Sequence, residues 1–101
     1  MAYSQEDIVK EGKAFVIKDD HGERLAEITW MVPESTNEVI IANHTWVDDS
    51  LRNQGIAGML LDRMVQEADQ AGQKIKALCP YVVRRFKEEP EKFDFINYDK
   101  Q

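Results

Sequence analysis

At 101 residues the chain has the length of one domain, residues 1–101, with room for a modest core but not for a separate substrate domain. Its 43% apolar and 32% charged residues are typical of a globular protein and exclude a disordered tail or a coiled-coil rod. The net charge of −6 argues against general nucleic-acid binding, because no basic face is large enough to neutralise many phosphates.

The N-terminal part of the chain predicts a short strand and a hairpin turn. Residues 1–13 are mostly polar, with Ile8 and Val9 as the only aliphatic pair, and they either add an edge strand or lead into the domain. Residues 14–18 predict a strand, and residues 19–23 have the composition of a turn that closes a hairpin.

Two longer strands follow, separated by turn residues at 33–37. Residues 24–31 alternate between apolar and polar side chains, as a half-buried antiparallel strand requires, with Ala26, Ile28 and Trp30 on the apolar face. Residues 38–47 form the longest predicted strand, and strict alternation places apolar groups on both of its faces. One face carries Val39, Ile41, Thr45 and Val47, and the other carries Ile40, Ala42, His44 and Trp46. This pattern predicts a central strand that is covered on both sides.

After residues 48–51 the hydrophobic period changes from two to about 3.6, which predicts a long amphipathic helix. Gly72 is suited to the left-handed conformation that often follows a helix end. The apolar stripe of the helix steps by four residues through Ile56, Leu60, Met64 and Ala68.

The C-terminal part predicts a strand, a short helix and a packed tail. A strand is expected over residues 74–79, after which Pro80 opens a helix over residues 81–88 that ends before Pro90. The tail is too apolar to be free in solution, because it contains Phe93, Phe95, Ile96 and Tyr98. The whole order predicts an α+β fold with a mostly antiparallel sheet, a strand–helix–strand crossover and a short C-terminal helix.

The sequence also indicates a compartment. The apolar runs are far shorter than the roughly 20 residues needed to cross a bilayer, and the first seven residues lack the charged-then-apolar pattern of a signal peptide. Cys79 is the only cysteine, and a free thiol suits a reducing environment. We therefore expect a cytoplasmic protein that does not bind membranes. Only His21 and His44 accompany Cys79, and no pair has ligand spacing, so no metal site is predicted.

Residues 52–58 have the chemistry of an anion site. A strand, a glycine-containing turn and a helix leave the first helix amides unpaired, and the macrodipole adds partial positive charge there. Gly55 and Gly58 carry no side chain that would block a ligand, Ala57 carries only a methyl group, and Arg52 adds a bidentate phosphate donor. The alternative is a helix N-terminus whose small residues serve only close packing.

Arg52, Gly55 and Ala57 fit the Arg/Gln-x-x-Gly-x-Gly/Ala signature with which the GNAT superfamily of acetyl-CoA-dependent N-acetyltransferases holds the CoA pyrophosphate. The likeness extends over most of the chain. His44-Thr45 before the acidic turn and Cys79-Pro80-Tyr81-Val82 after the crossover helix resemble a branch of very small GNAT-like proteins. The resemblance implies a minimal GNAT-like fold.

The same resemblance implies where acetyl-CoA, the only cofactor expected, would bind. Its pyrophosphate would lie on the amides of Asn53, Gln54, Gly55, Ile56, Ala57 and Gly58. Its pantetheine arm would pair with the main chain of Thr45, Trp46 and Val47, and the strands ending at Val47 and Cys79 would splay apart to admit the thioester. The chain lacks the long N-terminal helices with which larger members build the acceptor site, so the acceptor amine is not identified.

A transferase needs a group that accepts the proton of the attacking ammonium and a group that protonates the departing thiolate. His44 is the candidate base, because imidazole titrates near neutral pH. The alternative is a core histidine within a buried strand. Tyr81 is the candidate acid, by resemblance to the tyrosine that serves many GNAT enzymes, and its alternative is a packing residue.

Cys79 has two interpretations. As a buried small hydrophobe at a strand end it would be inert. As a thiol beside the splay it would take the acetyl group itself, in a double-displacement route that needs His44 or a helix N-terminus to stabilise the thiolate.

Three further features have alternatives of the same kind. The cluster of Arg84, Arg85 and Lys87 is either a solvated helix face or a docking point for a negatively charged partner or the CoA 3′-phosphate. Trp30 and Trp46 are expected to pack in the core or on a sheet face, and the alternative is a platform for a ligand.

The predicted function is that of an enzyme, an N-acetyltransferase that binds acetyl-CoA and acetylates an unidentified amine, directly or through Cys79. The alternative is a non-catalytic module that binds or senses acyl-CoA, suggested by the missing acceptor helices. A third interpretation, ranked last, is a thioesterase that uses Cys79 and His44. The sequence shows no third group that would orient His44 for this reaction. The small core and the aromatic tail also make a homodimer plausible.

Overall fold

The fold is organised around a five-stranded sheet in the order β1-β2-β3-β4-β5. The computed structural model describes residues 3–101; Met1 and Ala2, which belong to the predicted lead-in, lie outside the described residues. Strands β1 to β4 pair antiparallel with their neighbours, and β5 pairs parallel with β4. The strands are β1 Val9–Lys10, β2 Ala14–Lys18, β3 Arg24–Met31, β4 Val39–Val47 and β5 Lys74–Ala77.

Helix α1 makes the connection between the two parallel strands, because parallel neighbours cannot be joined by a tight turn. The α-helices are α1 Ile56–Gln70, α2 Pro80–Glu88 and α3 Pro90–Phe93. Short 3₁₀ turns cover Gln5–Asp7, Asp49–Leu51 and Tyr98–Lys100. None of the helices within residues 3–101 is long and apolar enough to cross a membrane.

Most predicted elements lie within one or two residues of their predicted bounds. The strands at residues 14–18 and 24–31 are confirmed, and the N-terminal stretch forms both a lead-in turn and a two-residue edge strand. Strand β5 ends at Ala77 rather than Cys79, because the amides of Leu78 and Cys79 both donate to the carbonyl of Ala42 at 2.9 Å and the regular ladder stops there.

The end of α1 follows the predicted chemistry. Gly72 has φ of +72° and donates to the carbonyl of Asp69, while Gln73 donates to the carbonyl of Ala68 at 2.8 Å. These two bonds are the Schellman motif, which satisfies carbonyls that the helix leaves unpaired. The motif turns the chain directly into β5.

The core lies between α1 and one face of the sheet. The predicted helix stripe is confirmed, since Ile56, Leu60, Met64 and Ala68 are all buried. The sheet residues that face them include Phe15, Ile17, Ala26, Ile28, Ile40, Ala42 and Ile75. Burying a large aliphatic or aromatic side chain stabilises the fold by about 1.5–3 kcal/mol, so this layer is the main source of stability.

A bulge in β4 changes the predicted face assignment. Thr29 pairs with His44, but the next residue of β3, Trp30, pairs with Ala42, so Asn43 is an extra residue in β4. An extra residue reverses the alternation beyond it. Ile40, Ala42, Thr45 and Val47 therefore share the face toward the helices, and Ile41, His44 and Trp46 face the other way. The prediction that His44 shares a face with Ala42 is wrong.

The sheet face opposite α1 is covered by charged side chains rather than by a helix. Glu11 pairs with Lys18 and with Arg24, and Glu27 pairs with Arg24 at 2.9 Å and with His44 at 3.1 Å. Met31 and Trp46 are exposed on this face. The prediction that β4 is covered on both sides is therefore wrong for its C-terminal half.

The C-terminal tail packs back onto the domain, as predicted. Ile75 of β5 donates its amide to the carbonyl of Ile96 at 2.8 Å, and Ile75 also forms an isolated parallel bridge with Asn97. Phe93 and Ile96 are buried, whereas Phe95 and Tyr98 stay about half exposed. Half of the apolar tail residues therefore belong to the core.

Candidate functional site

A cavity of about 480 Å³ lies where β4, the loop before α1 and the start of α2 meet. Its volume falls within the range of small-molecule sites. Its walls are formed by Thr45, Trp46, Val47, Leu51, Arg52, Asn53, Gly55, Ile56, Ala57, Gly58, Tyr81 and Arg84. Most residues predicted to hold acetyl-CoA therefore line one cavity, and Gln54 is the member of the predicted loop outside this lining.

The loop is anchored by a 3₁₀ turn at its start. Asp48 caps this turn, because its carboxylate accepts from the Ser50 hydroxyl at 2.6 Å and from the Ser50 amide at 3.0 Å. The hydroxyl bond first, and then the amide bond, hold the pKa of Asp48 below its ordinary value. Leu51 is buried in the core and fixes the other side of the turn. The loop therefore leaves β4 in a defined direction.

Two residues in the left-handed backbone conformation direct the loop toward the cavity. Asn53 has φ of +65° and Gly55 has φ of +74°, a region that glycine and asparagine adopt more easily than other residues. Gly55 is the N-cap of α1, and the first bond of the helix runs from the Met59 amide to the Gly55 carbonyl at 3.1 Å. The amides before Met59 have no carbonyl within the helix to bind, and Ile56, Ala57 and Gly58 all line the cavity.

Two arginines line this cavity, Arg52 from the loop before α1 and Arg84 from α2. Arg52 donates from Nε to the Val47 carbonyl at 3.3 Å and lies 3.4 Å from Asp49, which ties it to the end of β4. Arg84 lies on the α2 side, and its ion pair with Glu88 is long, with 3.9 Å between Nε and Oε2. In a chain with net charge −6, two arginines therefore line the same cavity as the first residues of α1.

Cys79 lies directly behind the cavity wall. It is 5% exposed, is the N-cap of α2, and contacts Thr45 with 3.4 Å between Sγ and Oγ1. The pairing between β4 and β5 ends at Ala42 and Ala77, so the two strands separate just before these side chains. The thiol is thus buried at a point where the sheet opens.

His44 faces away from this thiol. It pairs with Thr29 on the open face of the sheet, its side chain is 53% exposed, and its Nε2 lies 3.1 Å from Glu27 Oε2. The alternative of a buried core histidine is therefore wrong. No hydrogen bond between His44 and Cys79 occurs among residues 3–101, so the pairing that a Cys–His thioesterase needs is not formed.

Glu27 is a site residue that the sequence analysis missed as a partner of His44. The two residues are far apart in sequence, and their contact depends on the shifted register at Asn43. Strict alternation would have placed them on opposite faces, so no local signal pointed to the pair.

The positive cluster at the start of α2 divides into different environments. Tyr81 and Arg84 line the cavity, whereas Arg85 is 18% exposed and donates to the Tyr81 hydroxyl at 2.7 Å. Burial opposes the charge of Arg85, but its bonds to Glu89 and Tyr81 outweigh burial and raise its pKa above the ordinary value. The interpretation as a solvated face therefore fails for Arg85. The spacing of four residues between Tyr81 and Arg85 on a helix was a usable signal for this contact.

The two tryptophans also differ. Trp30 packs on Phe15 with ring centroids 5.0 Å apart, and Lys10 lies over its ring at 5.8 Å, in agreement with a packing role. Trp46 is partly exposed and lines the cavity, so it is not a simple core residue.

Residues 14–95 match the family model described as GCN5-related N-acetyl-transferase. Among solved structures, a GCN5-like protein from Staphylococcus aureus is 30% identical with a TM-score of 0.71, and the match covers 94% of this chain and 90% of that chain. No curated protein gave a significant match.

Two larger proteins show the same fold at lower identity. A GNAT family N-acetyltransferase from Escherichia coli, solved in complex with CoA, is 22% identical with a TM-score of 0.60 over 72% of this chain and 43% of that chain. An acetyltransferase from Bacillus cereus is 22% identical with a TM-score of 0.56 over 75% of this chain and 54% of that chain. The match thus spans about half the length of these two proteins. The predicted α+β GNAT-like fold is confirmed by these similarities.

Proposed function

Because this chain belongs to the GCN5-related N-acetyltransferase family, we propose that it binds acetyl-CoA in the cavity at the end of β4 and transfers the acetyl group to an amine. The observation that carries the proposal is the loop from Arg52 to Gly58, which brings the unpaired amides of α1 to this cavity. CoA carries a pyrophosphate, the type of anion that such amides bind. The E. coli protein described above was solved with CoA, which supports the same ligand here.

The two ends of the cavity fit the two ends of this ligand. Arg52 and Arg84 line the cavity together with the first residues of α1, and both can pair with the phosphates. At the other end, pairing of β4 with β5 stops at Ala42, so the following main-chain groups of β4 have no partner strand on that side. A pantetheine arm carries amides that can bond to such groups. The thioester would then reach the region of Thr45 and Cys79, which are in contact.

In the chemical step, the amine nitrogen forms a bond to the thioester carbonyl carbon and the carbon–sulfur bond breaks. The nitrogen loses a proton to a base, and the departing thiolate gains one from an acid. Tyr81 lines the cavity and can supply the second proton. His44 donates its Nε2 proton to Glu27 when neutral, which leaves Nδ1 free to accept the first proton from an amine that approaches over the open face.

Binding is the first outcome to measure. Isothermal titration with acetyl-CoA should give a dissociation constant between about 1 μM and 1 mM, the usual range for enzyme substrates. In NMR spectra, the changes in amide chemical shift caused by acetyl-CoA should be confined to residues 45–47 and 53–58. His44→Ala should change the affinity by less than about two-fold, because His44 does not line the cavity. No heat and no shift in these segments would refute the proposal.

Transfer is a separate outcome, which distinguishes an enzyme from a binding module. The release of free thiol from acetyl-CoA should be followed with a panel of primary amines and lysine peptides. The alternative is a non-catalytic module that binds or senses acyl-CoA. Tight binding with no acetylated product from any amine would support that alternative.

The transfer route can be decided by intact-mass measurement after mixing with acetyl-CoA. A route through Cys79 predicts an adduct of about 42 Da that is lost in Cys79→Ala, since the acetyl group moves from CoA sulfur to Sγ before it reaches the amine. Direct transfer predicts no adduct and a Cys79→Ala protein that still acetylates. Thr45→Val should be measured beside Cys79→Ala. It removes the hydroxyl that contacts Sγ and keeps a similar side-chain volume.

A further inference from the structure

The side chain of Arg85 is held more firmly than any other part of the positive cluster on α2. Its Nη2 lies 2.7 Å from Glu89 Oε2, its Nε donates to the same oxygen at 2.8 Å, and its guanidinium lies 5.5 Å from the centre of the Phe93 ring. A guanidinium that is mostly buried is costly unless it is paired and hydrogen-bonded. These partners fix both its position and the direction of its remaining N–H groups.

One of these N–H groups points at the cavity wall. Arg85 Nη1 donates to Tyr81 Oη at 2.7 Å, which is a short, charge-assisted bond. Arginine has no acceptor atom, so the tyrosine oxygen must be the acceptor. The proton of Tyr81 is therefore directed away from Arg85, and within residues 3–101 it has no recorded acceptor.

The start of α1 is shaped to allow this contact. A Cβ atom at Gly58 would lie 3.2 Å from Arg85 Nη1 and 3.8 Å from Tyr81 Oη, and the first distance is tighter than nine in ten real Cβ contacts. Glycine at this position lets the guanidinium and the phenol approach the helix N-terminus together. The phenol oxygen thus lies close to Gly58, and both Tyr81 and Gly58 line the cavity.

We propose that Arg85 is a positioning residue that directs the Tyr81 hydroxyl proton toward the sulfur of the bound thioester; this inference rests on the proposed function. When the carbon–sulfur bond breaks, the sulfur keeps the electron pair and takes the proton from Tyr81. The resulting phenolate stays bonded to the Arg85 guanidinium. The proton that the amine gives to His44 passes to solvent, and a solvent proton later restores the phenol, so the cycle needs no further reactant.

The test compares the binding of CoA and desulfo-CoA, which lacks the sulfur, by isothermal titration at pH 9. An ordinary thiol, with a pKa of about 8.5, is largely ionised at this pH. We expect the wild type to bind CoA about ten-fold more tightly than desulfo-CoA, as one charge-assisted hydrogen bond allows. Tyr81→Phe and Arg85→Gln should each remove this preference, and the double variant should remove no more than either single one. Arg85→Lys should restore part of it.

Two other variants separate positioning from general stability. Glu89→Gln keeps Arg85 but weakens its anchor, and it should reduce the preference without abolishing it. Arg63→Gln is the matched control, because Arg63 is also partly buried, donates to Gln5 at 2.8 and 3.1 Å, and lies 6.0 Å from the Phe15 ring. It should keep the full preference for CoA.

The possible failures are distinguishable. If neither ligand binds, the proposed function fails and the inference fails with it. Equal binding of both ligands by the wild type overturns the inference alone. The inference is also overturned if Tyr81→Phe weakens both ligands equally, which would place the hydroxyl on a phosphate. A preference that survives in both Arg85→Gln and Glu89→Gln would show that these two residues serve only stability.

Discussion

Replacing Gly58 with leucine is expected to weaken acetyl-CoA binding by about 100-fold. Even a Cβ at this position would lie 3.2 Å from Arg85 Nη1, so a longer side chain must displace the guanidinium or enter the cavity. It would also cover the amides at the start of α1. Leucine is a much better helix former than glycine, so loss of helix propensity cannot account for weaker binding. Isothermal titration and a thermal unfolding curve should be measured on the same protein.

The control for this variant is Ala71→Leu. Ala71 follows the other end of α1 and is exposed, so the same side chain there meets neither the cavity nor Arg85. Its affinity for acetyl-CoA should stay within about two-fold of the wild type. If Gly58→Leu binds equally well, the ligand does not contact the start of α1, and the proposed seat of the pyrophosphate is wrong.

The second large effect is expected in the C-terminal segment. Phe93→Ala should lower the free energy of unfolding by about 3–5 kcal/mol, because it removes a ring that is 1% exposed and leaves a cavity. The Phe93 ring packs on Phe86 with 5.1 Å between centroids and also lies beneath Arg85. Since small proteins are stable by only about 5–15 kcal/mol, this loss is a large fraction of the total and should clearly lower the urea midpoint. Urea unfolding followed by fluorescence gives the measurement.

Phe95→Ala removes the same ring two residues later, where it is 49% exposed. It should cost less than about 1 kcal/mol, since little apolar surface returns to water. Equal losses at both positions would contradict the packing of the tail. A loss at Phe93 that spares acetyl-CoA binding would separate the stability role of this ring from its contact with Arg85.

The sequence predicted the elements correctly where the hydrophobic period and the glycine or proline residues at the boundaries agreed. The stripe from Ile56 to Ala68 has four buried members in register, so the helix and its buried face followed directly. Gly72 and Pro80 marked element boundaries through backbone rules that depend on single residues. The turn at Gly55 and the helix after it were predicted for the same reason, because they are adjacent in sequence.

The parts that were not predicted depend on contacts between distant segments. Residues 38–47 contain no glycine or proline, so nothing local marks Asn43 as the extra residue of β4. One inserted residue moved His44 to the open face and brought it to Glu27. The contact of Cys79 with Thr45 likewise requires the parallel register of β4 and β5, which no short motif encodes.

The tail that packs beside Ile75 has a consequence for association with other chains. An exposed sheet edge offers a row of unpaired amides and carbonyls on which a foreign strand can add. Here the edge at β5 is partly occupied by Ile96 and Asn97, and the opposite edge is only the two residues Val9–Lys10. Neither edge presents a long, flat template, so edge-to-edge aggregation and strand-swapped dimers are disfavoured. A homodimer of this protein would have to use the faces of the sheet or the helices instead.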